Sequence, residues 1–140
     1  MQVAPDLRVL DELMRLMRQL ATAGDLGPAA AMALTRLVRE GPQRLTELAT
    51  GEGISQPGMT QLVSRLERDG LVRRTTATGD RRGVVVEVTA AGADVVAQRR
   101  AQRDRAFHDL LARLDPADQT AIADALPALA RLVAARAATP

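Results

Sequence analysis

The chain has no cysteine, tryptophan, tyrosine or lysine, and Phe107 is its only phenylalanine. Without cysteine, a disulfide scaffold, a thiolate zinc site and a thiol redox switch are all excluded. That absence fits a reducing compartment, so a cytoplasmic protein is expected. With almost no aromatic rings, recognition of single strands or RNA through base-stacking platforms is disfavoured. No stretch reaches the roughly 18 consecutive apolar residues of a membrane span. The opening "MQVAPDLRVLDELMRLMRQL" breaks its apolar pattern with acids and offers no signal-peptide core. A chain without membrane association is expected.

The 140 residues are enough for one domain with a real core. All nineteen basic residues are arginine, set against seventeen acids for a net charge of +2. A balance so near neutral does not announce nucleic acid by its total, so the distribution of charge has to decide.

Residues 7–20 place Leu7, Leu10, Leu13, Met14, Met17 and Leu20 at helical spacing. A second helix is expected from Pro28 through Met32, Leu34, Leu37 and Val38 to a stop at "EGP". A short helix follows in "TELATGEG", with Thr46 as N-cap, and Gly51 and Gly53 make the turn. Ser55 restarts a helix with Pro57 in its first turn, where the missing N–H is harmless. Its apolar face is Met59, Leu62, Val63 and Leu66, and Gly70 ends it.

"LVRRTT" and "VVVEVT" are β-rich runs joined by "ATGDRRG", which predicts a hairpin burying alternate valines. Thr89 caps a long helix over 90–113. Asp115, Pro116 and Asp118 open a last helix over 115–136, where Pro127 is expected to kink or break the chain near Ala123–Leu126.

The order helix, helix, short helix, turn, helix, hairpin is that of a winged helix-turn-helix, a unit that reads DNA with its second turn-flanking helix. Opposite the apolar face of that helix lie Pro57, Thr60, Gln61, Ser64 and Arg68. Small and amide side chains there suit base edges. Gln56 could bind adenine in bidentate fashion, and Pro57 could touch a thymine methyl.

Residues 41–92 carry "LTELA", "SQPGMTQLVSRLERDGLV", "GDRRGVVVEVT" and "TAAG". This set resembles the MarR family of bacterial transcriptional regulators, and it covers more than a third of the chain. The resemblance implies a mainly α fold with a small antiparallel hairpin wing. It implies a single domain over 1–140, with a DNA-binding winged part over 28–89 and dimerisation helices over 1–24 and 90–140. It also implies a homodimer on double-stranded DNA, binding a near-palindromic operator and repressing until a small-molecule effector intervenes. No cofactor, metal or enzymatic activity is implied.

Matched position by position, recognition-helix contacts fall on Ser55, Gln56, Pro57, Thr60, Gln61, Ser64 and Arg65, and wing contacts on Asp80, Arg81 and Arg82. Arginine suits a wing tip because its planar fork can bind phosphate or enter a narrow minor groove. The chain departs from the family in three places. Gln61 stands where arginine is common, Ala77 lies near where a carboxylate is common, and "TAGDLGPAAAMAL" lacks aromatic pocket residues.

Other candidates have plainer readings. His108, the one histidine, belongs on a helix surface or an interface, with no Cys and no nucleophile motif beside it. The run with Arg99, Arg100, Arg103 and Arg105 reads better as a solvated helix face than as a phosphate patch. Met14, Met17 and Met32 suit interface or core packing. The competing function is a helical protein-interaction module that keeps a winged fold without reading DNA.

Overall fold

The structure is a computed structural model and describes residues 6–21, 26–76 and 83–137. The chain divides into two compact units, 1–103 and 104–140. The first holds α1 (Leu7–Ala21), α2 (Pro28–Glu40), β1 (Gln43–Arg44), α3 (Leu45–Glu52), α4 (Gln56–Arg68), β2 (Val72–Thr76) and β3 (Val84–Val88). Helix α5 (Ala90–Leu111) starts in this unit, and α6 (Pro116–Ala137) lies in the second. The mainly α architecture with an antiparallel hairpin is as the sequence predicts.

The core of the first unit is built from the predicted faces. Leu34 and Leu37 of α2 meet Leu48 of α3, Met59, Leu62, Val63 and Leu66 of α4, and Val72 and Val86 of the hairpin. Each such side chain contributes roughly 1.5–3 kcal/mol by leaving water. The inward stripe of α2 is Ala30, Ala33, Leu34 and Leu37, so Met32 and Val38 point outward at 60% and 44% exposure. Of the hairpin valines, Val86 is buried and Val88 packs at the edge of the core, whereas Val84 is exposed.

The sheet has a third strand that periodicity did not predict. Its order is β1-β3-β2, all antiparallel, with Gln43 opposite Val86 and Arg44 opposite Val85. Helix α3 therefore begins at Leu45 with Arg44 as N-cap, two residues earlier than a Thr46 cap would allow. The Glu47 carboxylate accepts the Arg44 backbone N–H at 3.3 Å, the N3-to-N-cap half of a capping box. Gly51 falls inside the last turn of α3. Gly53 alone makes the left-handed cap, at φ +64°, with the Ile54 N–H reaching back to the Ala49 carbonyl at 2.9 Å.

Thr89 caps α5 as expected. Its Oγ1 accepts the Gly92 N–H at 3.1 Å and donates to the Gly70 carbonyl at 2.6 Å, tying the helix start to the end of α4. Gly92 has no room for a side chain, because a Cβ there would overlap the Leu71 carbonyl oxygen.

In the second unit, the Gln119 amide donates to the Leu114 carbonyl at 2.8 Å, closing the turn before α6. Helix α6 runs from Pro116 to Ala137 with Pro127 inside it, so of the kink or break expected near Ala123–Leu126 the chain does not take the break. Proline frees the carbonyl four residues earlier, on Ala123, and that residue is exposed, so water can take the place of the missing donor.

Candidate nucleic-acid interface

The two helices that matter are α3 and α4, joined by the Gly53 turn. Ser55 is the N-cap of α4, with Oγ accepting the Gly58 N–H at 3.2 Å. Pro57 sits in the first turn, as predicted. The Thr60 hydroxyl donates to the Gln56 carbonyl at 2.9 Å. Both hydroxyls are thus committed locally, but in opposite senses. Ser55 keeps its hydrogen for an acceptor such as phosphate, whereas Thr60 keeps lone pairs and a methyl.

Because Met59, Leu62, Val63 and Leu66 are buried, the other side of α4 faces outward. Gln56, Pro57, Thr60, Gln61, Arg65 and Arg68 are exposed there beside Ser55, and Ser64 is half-buried. The structure therefore brings all seven predicted recognition-helix residues to one end or one face. Asp80, Arg81 and Arg82 lie outside the described residues, as does Ala77.

Charge distribution on this unit is uneven. Arg36 is ion-paired to Glu40 at 3.2 Å and to Glu52 at 3.4 Å, and Arg39 to Glu40 at 2.8 Å. Arg73 pairs with Glu87 across the hairpin at 3.0 Å. The Arg74 guanidinium donates twice to Glu67 Oε1, at 2.9 and 3.1 Å, and its backbone N–H donates to Oε2 at 3.0 Å. These Arg74 bonds hold the Glu67 carboxyl below its ordinary value of 4.5. Bonds from Arg39 and then Gln43 lower Glu40 likewise.

Arg44, Arg65 and Arg68 make no such pair among the described residues. Two of them lie on the outward face of α4. The third, half-buried Arg44, lies at the end of β1 and was missed in the sequence. Its signal was the Glu three residues later in "RLTE", half of a capping box that places Arg44 at a helix start.

Arg65 also borders a small cleft of about 150 Å³ between the start of α2 and the end of α4, with Leu26, Leu62, Leu66 and Asp69. Among the described residues no group of three His, Asp or Glu could hold a metal ion, and no helix is long and apolar enough to cross a membrane. His108 is exposed on α5.

A helix-turn-helix with a β-hairpin wing is the class of molecule that these elements define. The MarR family pattern matches residues 26–84. The chain is 31% identical over 135 residues to the uncharacterized HTH-type transcriptional regulator Mb0904 of Mycobacterium bovis, spanning 94% of this chain and 93% of that one. It is also similar to the crystal structure of transcriptional regulator Tm0710 from Thermotoga maritima, with a TM-score of 0.79 and 26% identity. That match covers 95% of this chain and 96% of the other. The fold of the multiple antibiotic resistance repressor MarR matches with a TM-score of 0.74 at 22% identity, covering 92% and 96%. The chain belongs to the MarR family of DNA-binding transcriptional regulators.

Proposed function

We propose that the protein is a cytoplasmic homodimeric repressor that reads a near-palindromic operator with α4 in the major groove and releases it on binding a small effector. The observation that carries this reading is the outward face of α4. Small and amide side chains alternate there with arginines that have no acid partner among the described residues, while Arg36, Arg39, Arg73 and Arg74 are each neutralised by glutamate. A face left positive and short-chained can approach base edges, and its unpaired cations have phosphates for counter-charges.

Within this reading Ser55 and Arg65 hold the backbone, and Gln56, Pro57, Thr60, Gln61 and Ser64 meet the bases. Asp80, Arg81 and Arg82 reach the flanking backbone or minor groove. Dimerisation is supported by the apolar side chains that α1 and α6 leave uncovered in a single chain, and repression by the name of a protein of the same fold. The Arg65 cleft supports an effector much smaller than a drug-sized ligand, which needs roughly 300–1,000 Å³.

The test is selection of duplexes from random sequence, followed by titration of variants. Gln56→Ala or Thr60→Ala should relax base preference at one position per half-site, at about 1–3 kcal/mol for a lost bidentate contact. Equal weakening on selected and scrambled duplexes would reassign both residues to the backbone.

A further inference from the structure

We infer that Arg44 is an additional phosphate contact, gripping the DNA backbone in the cleft between the start of α4 and the start of β3. The inference rests on the DNA-reading function proposed above. Arg44 ends the edge strand β1, where its backbone is pinned from two sides. It pairs with Val85 on the central strand β3, and its N–H is held by Glu47.

Among the described residues, the guanidinium has no ion-pair partner. It borders a cleft of about 130 Å³ together with Leu45, Thr46, Gln56, Gly83 and Val84. Three elements meet there: the first turn of α3, the first residue of α4 and the entry to β3. Among the described residues, no carboxylate lines the cleft. Glu47, the nearest acid in sequence, borders a different one with Arg36, Thr46, Thr50 and Gly51.

Charge accounting makes the position unusual. Arg36, Arg39, Arg73 and Arg74 each have a glutamate within 3.5 Å, so this unit readily supplies acids to its arginines. Arg44 is half-buried and receives none among the described residues. An anion from outside completes the set. The planar fork of arginine matches phosphate with two parallel hydrogen bonds, and Gln56 on the same cleft is a proposed base reader. A backbone phosphate in this cleft would lie next to the base that Gln56 meets. Contacts of this kind fix register and carry no sequence information themselves.

The experiment uses the full chain carrying Arg44→Ala, Arg44→Gln or Arg44→Lys. Fluorescence anisotropy is read on a duplex that the wild-type protein selects from random sequence, and on a scrambled duplex, over a range of salt. The Ala and Gln variants should bind both duplexes about tenfold more weakly. Their log–log salt dependence should be shallower by about 0.9 for each copy of Arg44 on the duplex. Arg44→Lys should keep the wild-type slope, which a merely structural role for the guanidinium would not predict. Gln56→Ala should differ by losing affinity on the selected duplex alone. Wild-type affinity and slope in Arg44→Gln would overturn the inference, as would a loss confined to the selected duplex. A wild-type protein that binds neither duplex would overturn the DNA-reading function itself, and that result precedes any variant.

Discussion

The winged part and the terminal helices of this chain treat their apolar residues in opposite ways. In the winged part, Leu34, Leu48, Met59 and Val63 are 0% exposed, because four elements close over them. In α6, Leu132 and Val133 are 67% and 72% exposed, and on α1 Leu7 and Val9 are similarly open. Both regions show helical spacing in the sequence, and the spacing says only that a face is apolar. Whether the cover comes from the same chain or from a second one is a property of what surrounds that face. Uncovered apolar surface on this scale is characteristic of interfaces, and in this family reading the cover is a second copy.

Truncation breaks the comparison most severely. Removing residues 114–140 takes away α6 and should give aggregated or unfolded protein, because the proposed dimer would lose one of its apolar helices. Size-exclusion chromatography and circular dichroism check this, and a folded, monodisperse monomer would contradict it.

Point substitutions sharpen the same contrast. Leu34→Ala should cost roughly 2–5 kcal/mol at every protein concentration, since its cavity lies inside one chain. Leu132→Glu should instead weaken association, seen as a melting temperature that depends strongly on protein concentration. Sedimentation that finds the Leu132→Glu variant as dimeric as the wild type would remove α6 from the interface.

The wing should matter for binding and hardly at all for folding. Arg81→Ala with Arg82→Ala should weaken selected and scrambled duplexes together and reduce the salt slope by about 0.9 per lost phosphate contact. Melting should barely move, as exposed loop charges contribute little. An unchanged slope would mean that these arginines are not there for DNA.

The smallest effect concerns Glu67, which clasps β2 to the end of α4 through Arg74. Its folded carboxyl titrates below the unfolded one, so its contribution is complete above the ordinary value of 4.5 and is lost as pH falls through the folded value. Glu67→Gln should therefore melt slightly below wild type at neutral pH, and the gap should close in acid. A gap that stays constant with pH would assign the clasp's effect to packing.

Much of the site was legible because local chemistry specified it. "SQPGMTQLVSRLERDG" contains the Ser55 cap, the first-turn Pro57, the inward Met59–Leu66 stripe and the closing Gly70, each with its own local cause. The third strand was not legible, because Gln43 and Arg44 become β only through Val85 and Val86, more than forty residues away in sequence. That pairing moved the cap of α3 from Thr46 to Arg44 and placed an arginine where none was expected. Met32 and Val38 show the same limit. They fit a helical period, yet the smaller Ala30 and Ala33 take the inward stripe that lets α2 approach its neighbours closely. Pro127 removes one backbone donor on an exposed helix, and α6 continues through it without a break.

The central claim is that two copies of this chain read two half-sites through the outward face of α4. Sedimentation of the full chain with its selected duplex, beside a duplex in which one half-site is scrambled, tests it most directly. The account predicts two chains per intact duplex, half-sites about one helical turn apart, and a large loss of affinity when either half-site is scrambled. Equal binding to intact and half-scrambled duplexes, or one chain per duplex, would contradict it.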